Sequence, residues 1–207
     1  MAKIDYKKEL KEFYHPSTKV ISEVTVPKMN FLMIDGHGDP NTSKEFTDAI
    51  QTLYPVAYAI KFAVKKSSGT DFGVMPLEGL WWAKDMSDFD SEKGNRNHWL
   101  WTLMIMQPDV VTKDIFRTCL EDTVAKKDLP MADKLRFEAY AEGKSAQLMH
   151  VGPFSTEGPN IRKIHQYFGD LSGKPSGKHH EIYLSDMRKT APEKLKTVIR
   201  QPFSITK

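Results

Sequence analysis

The chain has 207 residues, 40% of them hydrophobic and 28% charged, and its 30 basic and 27 acidic side chains leave a net charge of +3. This composition excludes a disordered chain, and the near balance of charge gives no electrostatic footprint for nucleic acid. No apolar run approaches the roughly 20 residues that cross a bilayer, and the first residues are charged, so no membrane association and a cytoplasmic location are expected.

Residues 1–27 carry Tyr6, Leu10, Phe13 and Tyr14 at helical spacing and read as an arm packing on a domain of residues 28–207. Leu32-Met33-Ile34-Asp35-Gly36 reads as a strand ending in glycine. Thr42-Ser43-Lys44-Glu45 then has capping-box spacing. Phe46, Ala49, Ile50, Leu53, Ala57, Ile60 and Val64 follow at a period near 3.6, the apolar face of a helix that Pro55 should kink or restart. Pro76 to Trp82 and Trp99 to Gln107 read as strands. Asp109 to Lys127 reads as a helix with Ile115, Phe116, Cys119 and Val124 inward. Cys119, the single cysteine, cannot form an internal disulfide and fits a buried, inert thiol. Residues 128–133 form a loop, Lys134 to Tyr140 alternates like a strand, and Glu142-Gly143-Lys144 suits a hairpin turn.

The first pattern then returns. Leu148-Met149-His150-Val151-Gly152 matches the first glycine-ended strand. Ser155 or Thr156 is the cap candidate for a second helix, with Pro159 in its first turn and Ile161, Ile164, Tyr167 and Phe168 inward. His179 to Leu184 and Thr197 to Gln201 close the chain as strands. The order β-α-β-β is thus written twice, which predicts an α+β fold of two modules. Module one covers 28–108, a helix and strand over 109–143 connect, and module two covers 144–207.

On a strand, residues two apart share a face. His179, Glu181 and Tyr183 therefore share one face, Glu78, Leu80 and Trp82 one face of theirs, and Leu77, Gly79 and Trp81 the other. If the two strands are related, Glu78 and Glu181 both approach one groove. A carboxylate among aromatic rings is costly to bury and persists when it is paired, hydrogen-bonded or functional. For both glutamates the reading stays open between a base or cation anchor and a structural carboxylate. Trp81, Trp82, Trp99 and Trp101 could wall a pocket for a flat apolar ligand, with Gly79 leaving room for a ring, or could fill the core. His150 reads first as a satisfied histidine. There is no zinc signature, Walker loop, dinucleotide fingerprint or nucleophile elbow, so neither metal nor cofactor is expected.

The segments FLMIDGHGDPN, VMPLEGLWW, LMHVGPFSTEGPNI and HHEIYLSDMRKTAPEKLKTVIRQP resemble the GyrI-like small-molecule-binding family over residues 18–207. The resemblance implies a pseudo-twofold pair of β-α-β-β modules with a central ligand groove. It includes effector-binding domains related to BmrR, in which a glutamate matching Glu181 meets cationic aromatic drugs. A stand-alone branch with PLEGLWW and HHEIYLSD patterns resembles cyclopropanoid cyclopropyl hydrolases. That likeness implies Glu181 as general base and Tyr183 as hydrogen-bond donor. It also implies tryptophans stacking on a flat ligand, with Tyr54 or His150 as alternative donors. The expected partner is an aromatic hydrophobic small molecule bound by a monomer. The rival implication is a module that binds or senses drugs without turnover; a gyrase-inhibitor type of protein interaction rests on the family name alone.

Overall fold

The computed structural model describes residues 3–85, 88 and 94–205. Residues 1–2 of the expected arm and 206–207 of the expected second module lie outside the described residues. The elements run α1 (Tyr6–Glu9), α2 (Lys11–Tyr14), β1 (Ser22–His37), α3 (Lys44–Ser68), β2 (Leu77–Ala83), β3 (Trp99–Gln107), α4 (Lys113–Val124), β4 (Arg136–Val151), α5 (Gly158–Asp170), β5 (Gly173–Pro175), β6 (His179–Tyr183) and β7 (Lys196–Ile205). The fold is a mixture of helix and sheet, and β-α-β-β occurs twice in the order, with the short β5 added in the second instance.

The chain divides into two compact units. Unit 1 comprises residues 1–6, 29–75 and 83–140. Its β1 and β3 pair antiparallel from Asn30–Gln107 to His37–Leu100. The helix α3 packs its apolar face with Leu53, Val56 and Ile60 fully buried. Ser43 caps it by accepting from the Phe46 N–H at 3.3 Å. Glu45 does not complete a capping box; it is drawn outward to Lys134 at 2.7 Å and to His37 at 2.9 Å. Nor does the helix restart at Pro55. One lost backbone bond is outweighed by the buried residues on either side, and the helix runs its full 25 residues. Trp101 is fully buried, edge-on to Phe46 at 5.3 Å, and lies on Gly36 where any Cβ would overlap its ring. On α4, Cys119 is buried as expected, but Val124 is 48% exposed; it sits on the last turn, and Thr123 faces inward instead.

Unit 2 comprises residues 7–28, 76–82 and 141–207. In it β6 pairs antiparallel with both β2 and β7, and β7 pairs also with β4 and β5. The expected hairpin at Gly143 does not form. Gly143 takes a left-handed φ of +78° inside the continuous β4, and the strand runs on without reversing.

The register fixes what shares a face. One face carries the rows His150–Thr197–Tyr183–Leu77 and Leu148–Ile199–Glu181–Gly79. Helix α5 covers part of this face, with Ile164 and Phe168 against Ala146, Leu148, Ile199 and Phe203. Phe168 and Phe203 stack at 5.3 Å. The opposite face carries Met149–Val198–Ile182–Glu78 and Gln147–Arg200–His180–Leu80.

Candidate functional site

On the α5 side, Tyr183 donates its hydroxyl hydrogen to Glu181 Oε2 at 2.8 Å and accepts from Trp81 Nε1 at 3.1 Å. His179 Nε2 lies 3.3 Å from Glu181 Oε1. Phe154 meets the Tyr183 ring edge-on at 5.6 Å. The Glu181 side chain keeps 17% of its exposure, against 5% for His179 and 4% for residue Trp81, and Tyr183 is likewise only partly buried, so these two are the polar groups here that solvent or a ligand reaches. Strand alternation in HHEIY predicted this trio, and the structure brings it together.

A second carboxyl joins it that the sequence reading missed. Glu157 is 4% exposed and stands immediately before α5. Its main-chain carbonyl accepts from the N–H groups of Asn160 and Ile161, while its side chain caps nothing. Burial first, and then the Glu181 charge, push its acid up to about 9; the Thr197 hydroxyl beside it offsets only part of this, without reaching hydrogen-bond geometry. Burial and the neighbouring Glu181 together favour the protonated form of Glu157. Burial, followed by the Glu181 charge, also raises the Tyr183 phenol well above its usual value and keeps it a donor. Ser155 and Thr156 are not caps. Thr156 turns to Pro153 O at 2.8 Å, in a turn that His150 fastens. His150 Nε2 faces the Pro153 carbonyl at 3.2 Å and Nδ1 faces the Asn160 amide at 3.1 Å, which assigns the Nε2–H tautomer and makes it a structural clasp.

Glu78 does not share this site. Gly79, not Glu78, is the residue opposite Glu181, and the one-residue offset puts Glu78 on the other face of the sheet. There it accepts from the Tyr14 hydroxyl at 2.8 Å and meets His180 Nε2 at 3.0 Å. His180 Nδ1 contacts Glu142 at 3.0 Å, and Arg200 reaches Glu142 and Gln147 at 2.9 Å each and the Phe13 carbonyl. Gln147 in turn donates to the Glu12 carbonyl at 2.6 Å. The network ties residues 12–14 to the sheet. Burial opposes the charge on Glu142, but His180 and Arg200 overcome it and hold the acid at about 2. Burial likewise presses His180 down, and Glu142 and Glu78 outweigh it to raise the imidazole to about 9.

These shifts set the pH range of stability. Glu142, depressed from 4.5, contributes fully above that pH and loses its contribution as pH falls towards about 2. His180, raised from 6.5, contributes fully below that pH and loses its contribution as pH rises through about 9; Glu157, raised from 4.5, loses its own from 4.5 upwards and adds to the same fall. Urea unfolding followed against pH should therefore give falling stability between 6.5 and 9 and a second fall below 4.5. A flat profile from 6.5 to 9 would contradict the charged His180.

The aromatic residues distribute unevenly. Within unit 2, Trp81 joins Glu181, while Trp82 faces the other way and carries Lys178 Nζ over its ring at 3.3 Å. Trp99, Trp101 and Tyr54 belong to unit 1. Trp99 donates to Asp88 O at 2.7 Å. The room expected at Gly79 is taken by Trp81 itself: a Cβ there would stand 2.6 Å from Trp81 Nε1 and 3.1 Å from the Tyr183 hydroxyl. Gly79→Ala should therefore dislodge the indole and cost about 1–3 kcal/mol, read by thermal unfolding and a red-shifted tryptophan emission. An unshifted spectrum would mean that the indole is not seated there.

Open clefts of about 450 Å³, lined by His37, Lys84 and His98 among others, and 420 Å³, lined by Val20, Lys163 and Tyr167 among others, carry no such grouping of buried acids. Among the described residues no cluster of side chains could hold a metal ion, and no helix is long and apolar enough to cross a membrane.

The model of the GyrI-like small molecule binding domain matches residues 19–203. The chain belongs to the GyrI-like family. A conserved protein from Listeria innocua is 42% identical, covers 98% of this chain and 100% of its own, and superposes with a TM-score of 0.89. A hydrolase from Listeria innocua is 40% identical over the same shares of both chains, with a TM-score of 0.83. The C-terminal domain of EcmrR, at 12% identity, has a TM-score of 0.55 over 90% of this chain and 98% of its own, and shares the GyrI-like fold alone. No protein among those of curated function matches.

Proposed function

We propose that this GyrI-like protein binds planar aromatic small molecules on the Glu181 face. There it would hydrolyse the cyclopropane ring of DNA-alkylating cyclopropanoids of the yatakemycin and duocarmycin type, a detoxifying role. The observation that carries the reading is the partly exposed Glu181 carboxyl held by the Tyr183 hydroxyl, with the buried Glu157 carboxyl close enough to feel its charge. That pairing is what water addition needs and what simple cation anchoring does not. The hydrolase relatives at 40% and 41% identity support hydrolysis as the reaction type.

In this reading a water molecule gives its proton to Glu181 as its oxygen attacks the ring methylene. The carbon–carbon bond of the strained ring breaks, and its electron pair passes into the dienone, whose carbonyl oxygen becomes a phenolate. As Glu181 takes the proton, the Tyr183 hydroxyl is freed to turn towards that oxygen. Tyr183→Phe should then slow turnover by about 10²-fold with little change in KM, and an unchanged rate would leave Tyr183 a packing residue. A flat ligand would take the place of the Trp81 indole over Gly79 and stack on it. The twice-written β-α-β-β order supports residues 28–108 and 144–207 as a pseudo-twofold pair, and the reading takes the protein as a cytoplasmic monomer.

The test is incubation of the purified protein with a duocarmycin-type cyclopropane, followed by mass spectrometry. Formation of the one-water adduct, faster than in buffer and with multiple turnovers, supports the hydrolase. Stoichiometric binding with quenched tryptophan emission and no adduct would make this a drug-binding module instead.

A further inference from the structure

Glu157 is built unlike a helix-capping carboxylate. Its Oε1 and the Thr197 hydroxyl are both buried without a hydrogen-bond partner among the described residues. Thr197 shares a sheet row with Tyr183 and His150. The groups brought to bear on this carboxyl are Glu181 and Tyr183 from β6, next to His179, and Thr197 from β7. The nearby His150 turns its two ring nitrogens to the Pro153 carbonyl and the Asn160 amide. The Thr197 hydroxyl acts on this carboxyl without reaching hydrogen-bond geometry, so the buried oxygen keeps a valence that a partner from outside can take.

We propose that Glu157 is a catalytic acid, giving its proton to the oxygen of the opened ring while Glu181 takes one from water. This rests on the hydrolase reading. The balance closes without a co-reactant. Before the step the pair is Glu181 carboxylate and Glu157 acid. The water O–H bond breaks and its proton goes to Glu181. The new C–O bond forms, the ring C–C bond breaks, and the phenolate oxygen takes the Glu157 proton. Afterwards the pair is Glu181 acid and Glu157 carboxylate, still one proton in all. Glu181 then releases its proton to water and Glu157 takes one from water, which restores the start with no net change. A site with one negative charge and neutral donors also suits neutral or cationic aromatic electrophiles rather than anionic ones.

The test uses Glu157→Gln in the full chain. The amide is isosteric with the neutral acid, so thermal unfolding should confirm a folded protein. Two duocarmycin-type cyclopropanes are compared whose opened phenols differ in acidity. Loss of an acid catalyst should slow the compound with the weakly acidic phenol by about 10²-fold and the other by less than about fivefold. Infrared spectra of protein labelled with ¹³C-glutamate should show a protonated carboxyl band at neutral pH that Glu157→Gln removes. Equal losses for the two compounds, a wild-type rate in the variant, or no such band would each overturn the acid role. A wild-type protein that forms no adduct with either compound would overturn the hydrolase reading, and the acid role with it. A wild-type protein that turns over alongside an equally fast Glu157→Gln variant would overturn the acid role alone.

Discussion

Glu181→Gln should slow ring opening by about 10³-fold and leave ligand affinity within about threefold, measured by turnover and by quenching of tryptophan emission. The amide keeps the size of the carboxyl and still accepts from the Tyr183 hydroxyl, so the surface that a flat ligand meets is conserved. What it loses is the ability to take a proton from water. It also loses the charge that adds to burial in raising Glu157, so Glu157 should fall below about 9 while burial, the larger cause, still holds it up. The opposite pattern, a large loss of affinity for cationic dyes with no turnover in the wild type to lose, would return Glu181 to the role of a cation anchor.

Arg200→Met should destabilise the protein by about 3–5 kcal/mol in urea unfolding. Arg200 is 1% exposed and carries hydrogen bonds to Glu142, Gln147 and the Phe13 carbonyl. Methionine fills much of the space but leaves Glu142 with His180 alone and the Phe13 carbonyl without its donor. Most of the loss comes from the stranded Glu142 charge, so adding Glu142→Gln to the variant should recover part of it. A change below about 1 kcal/mol, or no recovery in the double variant, would show that the network is not the clamp on residues 12–14 that its geometry describes.

Strand alternation made the Glu181 face legible. His179, Glu181 and Tyr183 lie two apart, and nothing beyond the period of a strand is needed to gather them. The family segments likewise cover the part of the chain that the GyrI-like model matches. Register was not legible. A one-residue offset decides whether Glu78 or Gly79 faces Glu181, and sequence spacing alone does not choose between them. Glu157 was hidden for a different reason: attention at this helix start went to Ser155 and Thr156 as caps, and the closeness of Glu157 to Glu181 is a tertiary fact. The Glu142–Arg200 pair spans 58 residues, and Glu142 beside Gly143 looked like turn chemistry. A left-handed glycine sits within a continuing strand as well as in a turn that reverses one, so that segment carried no signal for the buried ion pair.

The central claim is that Glu181 activates water rather than attacking the ring itself. The most direct measurement is a single turnover of a duocarmycin-type cyclopropane in H₂¹⁸O with protein in excess, with the mass of both product and protein recorded. General-base action predicts ¹⁸O in the product from the first turnover and an unmodified protein. A product carrying ¹⁶O, or an ester adduct on the protein at Glu181, would contradict it, because the oxygen would then have come from the carboxylate.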